Sequence, residues 1–244
     1  MKKLTVFCAA ACLAASAAAQ NHPDLHEVLD RQKGRNLIEI PKGTYTLDVR
    51  SNGPYKFHNL TDVHINGNGS TVICNNQEQA FSFYNCVRVE LRDLTIDYDP
   101  LCFTQGEITA VAEDGSWFDV RIDEGYPVTG LAANRVQFYD PQTRLLKRNS
   151  ITTYTSNYSA LKQLGHNLFR AVKNGTWSAG EQVGDLVVMD VKTDKPNAGV
   201  HTVMLNKCYN TKLENVTVYG SNTFSFFEKE CYANEYRNCV VDRG

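Results

Sequence analysis

Short runs of alternating apolar and polar residues recur along this chain, punctuated by Asn, Asp and Gly, and one six-residue pattern is met four times. In Leu91-Arg92-Asp93-Leu94-Thr95-Ile96 it reads apolar, any, Asp or Asn, apolar, any, β-branched. It returns at Leu60 to Ile65, at Leu213 to Val218 and at Tyr236 to Val241. The last three residues of each kernel predict a short strand whose first and third side chains share a face. The Asp or Asn ahead of them suits a tight turn, because these side chains bond nearby backbone and tolerate left-handed φ. Self-similarity with a shortest step inside the roughly 20–50-residue range of solenoids predicts one β-helix coil per kernel. Asn215 and Asn238 are then expected to form an amide ladder. Cys86, Cys208 and Cys231 each stand five residues ahead of a kernel and share a column.

The flanks fit the same plan. Leu25, Val28 and Leu29 have helical spacing within His22 to Arg35, a short amphipathic helix able to cover the open end of a solenoid. Leu37 to Leu47 reads as two short strands broken by Pro41-Lys42-Gly43, the first coil. From about Leu101 to Gly199 the grammar changes to hairpins. Glu107 to Ala112 and Phe118 to Ile122 flank Asp114-Gly115, and Leu168 to Val172 leads into Asn174-Gly175. Val136 to Tyr139 and Leu186 to Val191 add further strands. The expected fold is all-β: a right-handed parallel β-helix with an inserted antiparallel β-barrel-like domain and an N-terminal capping helix. Its divisions are a leader (1–19), cap and first coils (20–100), insert (101–199) and resumed coils (200–244).

Met1 to Ala19 opens on Lys2 and Lys3, continues in an alanine-rich apolar run and ends in Ala17-Ala18-Ala19, the form of a cleaved secretory signal. The mature chain is expected to be exported, periplasmic or extracellular. Loss of the leader takes the formal net charge of −2 further negative, which gives no cationic footprint for nucleic acid. No later segment is long and apolar enough to span a bilayer. Of the eight cysteines, Cys8 and Cys12 fall in the leader. The rest are expected as buried free thiols, and the lack of a CxxC pair argues against structural zinc. No cofactor or metal is expected.

Ile38 to Tyr45, the Ile65-Asn66-Gly67-Asn68-Gly69 stretch and the kernels together resemble the pectate-lyase-like parallel β-helices of bacterial polysaccharide enzymes. The Gly67-Asn68-Gly69 triplet reads as a turn between coils, since it lacks the third glycine and following helix of a phosphate loop. A barrel inserted after Ile96 to Pro100 and Phe103 to Glu107, returning through Gly184 to Val188, is similar in layout to the exo-acting α-1,3-galactosidases of glycoside hydrolase family 110. That resemblance implies a metal-independent inverting enzyme that removes terminal galactose from glycans. It also implies a pair of adjacent aspartates, and this sequence contains no Asp-Asp. The chain stops at Gly244 just after a kernel, so it is expected to be the N-terminal part of such an enzyme.

Inverting hydrolysis needs two carboxyl groups about 6.5–9.5 Å apart, one to protonate the leaving oxygen and one to activate water. The residues following the kernels are Asn66, Asp97, Tyr219 and Asp242, an expected outward column. Asp97 and Asp242 would lie two coils apart, about 10 Å by strand spacing, with Tyr219 between them as a face for a sugar ring. Outward carboxylates on a solenoid are ordinarily just solvated, and both residues fit that role too. Glu228 falls level with Phe83 and Leu205 in an apolar column; a slip of one residue would place it outside, the favoured reading. Asp99 reads as a turn residue or a substrate contact. Trp117 and Trp177 flank insert turns, where they stack on a sugar or anchor the barrel. His64 and His201 have no carboxylate or cysteine at ligand spacing and are expected to be structural. The expected partner is a glycan or oligosaccharide; a polysaccharide lyase and a non-catalytic glycan-binding protein remain as alternatives.

Overall fold

The computed structural model describes residues 22–147, 158–175, 180–191, 200–221 and 223–242. Helix α1 (Leu25–Asp30) is capped by the Asp24 carboxylate on His26 N and buries Leu25 and Leu29. The first coil carries β1 (Leu37–Glu39), β2 (Thr44–Leu47) and the four-residue helix α2 (Val49–Asn52). The second carries β3 (Tyr55–His58) and β4 (Thr61–Cys74), the third β5 (Phe81–Tyr84) and β6 (Val87–Tyr98). Then comes the insert: β7 (Phe103–Val111), β8 (Trp117–Ile122), β9 (Leu131–Tyr139), β10 (Tyr158–Gln163), β11 (Leu168–Lys173) and β12 (Leu186–Val191). The coils resume with β13 (Val203–Asn206) and β14 (Lys212–Tyr219), and with β15 (Phe226–Lys229), β16 (Glu235–Arg237) and β17 (Val240–Asp242).

All strand pairs among the coils are parallel, and the register shifts only within β4 and β6, between Asn66 and Ser70. One sheet runs β15-β13-β5-β3, and the other runs β1-β4-β6-β14-β16, with β2 on β4 and β17 on β14. The interior is columnar because every second side chain points inward and finds its equivalent one coil away. Phe57, Phe83 and Leu205 make one such column, and Leu91 and Leu213 another. Helix α1 packs into that core through Leu25 and Leu29, as a cap should.

The corners are built from left-handed residues. Asp62, Arg88, Asn210 and Ala233 occupy one corner and Asn68, Asp93, Asn215 and Asn238 another, all with φ of 51–55°. The amide ladder forms: Asn238 Nδ2 donates to Asn215 Oδ1 at 3.3 Å, and Asn215 Nδ2 to Asp93 Oδ1 at 2.7 Å. The kernel at Leu60, however, is out of register. Ile65 pairs with Leu91, and Thr61 with Val87, so Leu60 belongs with Cys86 rather than with Leu91. Correspondingly, Gly67-Asn68-Gly69 is not a turn between coils; it is the corner inside β4 that faces Asp93. Gly67 is obligatory there, since a Cβ would stand 2.4 Å from Asp93 O. All six cysteines among the described residues are free thiols. Cys74, Cys86, Cys102 and Cys208 are buried, whereas Cys231 and Cys239 are half-buried.

The insert is an antiparallel sheet of order β10-β11-β8-β7-β12-β9, curled so that β10 lies against β9. It encloses its own core of Ile108, Phe118, Val120, Ile122, Val136, Phe138, Phe169, Ala171, Val187 and Met189, separate from that of the solenoid. Its first and last strands pair, with Phe103 opposite Asp190, so the chain returns close to where it left.

Candidate functional site

Past the Asp93, Asn215 and Asn238 corner the chain runs straight, turning Leu94 and Ile96 inward and leaving Thr95 and Asp97 on the outer face. Thr95, Thr217 and Val240 align across β6, β14 and β17, as do Ile96, Val218 and Val241. The next residues are Asp97, Tyr219 and Asp242, and Tyr219 pairs directly with Asp242. Tyr219 and Asp242 are thus adjacent across β14 and β17, and Asp97 follows the last aligned pair of β6 and β14, Ile96 with Val218. Asn66 does not join them; the residue opposite Asp97 on β4 is Ile73. Two strand spacings separate the Asp97 and Asp242 backbones by about 9–10 Å, close to the separation inverting chemistry uses. Asp97 is half-buried, and its Oδ1 accepts the Tyr98 amide at 2.7 Å, which fixes the carboxylate. Asp242 is exposed.

The remaining candidates are dispersed. Asp99 is exposed beside Pro100, its amide donating to Cys74 O at 3.1 Å, in the link to the insert. Trp117 is covered on one ring face by Arg170, whose guanidinium carbon lies 3.5 Å from the ring centroid while its nitrogens make a bidentate pair with Asp119 at 2.7 and 2.8 Å. That face cannot also receive a sugar, so Trp117 anchors the barrel rim. Trp177 and the leader lie outside the described residues. The register slip expected for Glu228 does not occur: it pairs with Leu205, in line with Phe83, and points along an inward column. It is nonetheless exposed, since no further coil covers it among the described residues, and it accepts from Tyr236 Oη at 2.7 Å and Asn234 Nδ2 at 3.3 Å. Burial and the Glu228 carboxylate together push the Tyr236 phenol above its ordinary range. Phe224 is 62 % exposed, stacked with Phe227 and tilted against the His201 ring.

One cluster escaped the sequence reading. His64 Nδ1 lies 2.8 Å from Glu90 Oε2, and Lys212 Nζ lies 3.4 Å from Glu90 Oε1 and 2.5 Å from Glu214 Oε2. The hydrogen bond from His64 holds the Glu90 carboxyl below its ordinary value, against the opposing effect of burial, with help from Lys212. His64 thus has a carboxylate partner after all, supplied from one coil away. The signal was its phase: His64 and Glu90 stand 26 residues apart and Glu90 and Lys212 122 apart, the same separations that stack the core.

Among the described residues, no three His, Cys, Asp or Glu side chains gather where they would hold a metal ion, and no helix is long and apolar enough to cross a membrane. Fold and site define a parallel β-helix protein with a barrel-like antiparallel insert. Neither the family models nor the curated proteins searched contain a match to this chain.

Proposed function

We propose that this chain is an exported, carbohydrate-active β-helix protein, most like an inverting exo-glycosidase of the α-1,3-galactosidase type. The observation that carries the reading is that Asp97, Tyr219 and Asp242 each stand one residue past the aligned Ile96, Val218 and Val241 on three adjacent parallel strands, with Tyr219 paired to Asp242. In this reading a terminal sugar stacks on Tyr219. Asp97, held by the Tyr98 amide, takes a proton from water as the water oxygen bonds to the anomeric carbon. Asp242 delivers a proton to the leaving oxygen as the glycosidic bond breaks. In this reading Asp97 and Asp242 are the carboxylates that this chain offers the chemistry. The leader-like Met1 to Ala19 supports export.

The test is to incubate the full chain with an oligosaccharide ending in α-1,3-linked galactose and follow the anomeric protons by NMR. Free galactose appearing first as the β-anomer is the expected result. Asp97→Asn and Asp242→Asn should each slow release roughly a hundredfold or more; undiminished release by both variants sinks the reading. Unsaturated uronates from a polyuronate would instead mark a lyase. The solvated position of Asp242 favours a second reading, glycan binding without turnover, which the same experiment registers as retained oligosaccharide and no free sugar.

A further inference from the structure

The insert carries a concavity of about 270 Å³ on the outer face of β7, β12 and β9. Its composition follows from register. Outside the barrel core, Gln105, Val188 and Gln137 form one row across the three strands, and Glu107, Leu186 and Tyr139 the next. Leu186 and Val188, on the central strand, therefore make an apolar floor. On one side stands a polar wall in which Gln105 Nε2 donates to Asp123 Oδ2 at 3.0 Å. On the other stand Tyr139, whose hydroxyl donates to Gln137 Oε1 at 2.9 Å, and Arg144. The turn bearing Arg144 is clasped by Asp140, which accepts from the Gln142 and Thr143 amides at 3.0 and 2.8 Å, and is closed by Arg144 N to Asp140 O at 2.8 Å. Arg144 makes no ion pair among the described residues. The strands beneath cannot yield, since a Cβ on Gly106 would meet Arg121 O at 2.0 Å.

We infer that this concavity is a binding site for one neutral pyranose ring of a glycan. Ligand sites pair an apolar surface with a few convergent polar groups, and a pyranose matches this one in both respects. Its C–H face covers Leu186 and Val188 beside the Tyr139 ring. Its rim hydroxyls donate to the Asp123 carboxylate and accept from Arg144, which a hydroxyl does and a single-signed ligand cannot do at both walls. A uronate would gain Arg144 but meet Asp123 as a like charge, and an amine would meet the reverse. The volume, just under the roughly 300–1,000 Å³ of drug-sized pockets, admits a single ring rather than a chain. The inference holds whether or not the solenoid column is catalytic.

Saturation-transfer NMR titrations on the full chain test it, with methyl α-galactopyranoside, methyl α-glucopyranoside and glucuronic acid as probes. At least one neutral glycoside should saturate, and it should bind more tightly than glucuronic acid. Asp123→Ala and Arg144→Ala, both at exposed positions, should each weaken it at least tenfold with the circular dichroism spectrum unchanged. Asp97→Asn should leave it intact, which separates this site from the solenoid column. Three results would overturn the proposal: no saturable neutral glycoside, tighter binding of the uronate, or binding lost in Asp97→Asn but retained in Asp123→Ala. The last would leave the solenoid reading standing. Loss of glycosidase activity with this titration unaffected would do the opposite.

Discussion

Asn215 illustrates how one side chain serves the backbone and the stack at once. It sits at φ 54° between Asp93 and Asn238, giving one hydrogen bond and receiving another. Asn215→Ala should cost about 2–4 kcal/mol in urea unfolding, from left-handed strain of roughly 1–2 kcal/mol plus two hydrogen bonds worth about 1–2 kcal/mol together. Asn215→Gly should lose both bonds but not incur the strain, and so cost less. Gly67→Ala should be worse than either, because the clash is with backbone that only a separation of coils relieves. The corners at Asp93, Asn215 and Asn238 were legible in the sequence, whereas Gly67-Asn68-Gly69 reads there as a turn between coils. The other corner was not legible, for it places Arg88 and Ala233 at φ 52° and 55°. Neither residue favours that region; stacking imposes it. Arg88 is partly compensated by a bidentate contact with Asp62, Nε at 2.5 Å and Nη2 at 2.7 Å.

That pair of corners also explains why strand register was misread for one coil. Both corners have the grammar apolar, any, left-handed residue, as in Leu60-Thr61-Asp62 and Leu91-Arg92-Asp93. A match on sequence alone took the first for the second, and only the backbone pairing of Ile65 with Leu91 separates them. Cys86, Cys208 and Cys231, each two residues ahead of Arg88, Asn210 and Ala233, keep the other coils in phase. At the candidate site, Asp97, Tyr219 and Asp242 could be compared because each directly follows a kernel whose register the strand pairing bears out. The His64, Glu90 and Lys212 cluster stayed hidden because its members meet only across strands. On this sheet the pH response should show. Glu90 has a folded pKa below its ordinary value of 4.5, so its contribution is present above about that pH and is lost as pH falls through the lower folded value. Partial exposure limits it to about 1 kcal/mol. Glu90→Gln should therefore lower the midpoint of thermal unfolding near neutrality, and the difference from the parent should shrink in acid.

At the level of the whole molecule there are two cores, and they should fail separately. Phe138 is fully buried and meets Phe118 at 5.4 Å in an edge arrangement within the insert. Phe138→Ala should cost about 3–5 kcal/mol there. Amide exchange should accelerate across β7 to β12 while β4 and β6 keep their protection.

The pairing of Phe103 with Asp190 bears on the order of assembly. Zipping β6 onto β4 closes a gap of 26 residues, whereas zipping β14 onto β6 must close one of 122. For a flexible chain the longer closure costs about 1.4 kcal/mol more, and topology that defers its reward slows folding. Because the insert begins and finishes on adjacent strands, its own collapse draws the two ends of that gap together before any later coil is added. The barrel is then a tether-shortener for the solenoid. In stopped-flow refolding, a variant with a weakened insert should show protection of β14 arriving later, with the early zipping of β4 and β6 unchanged.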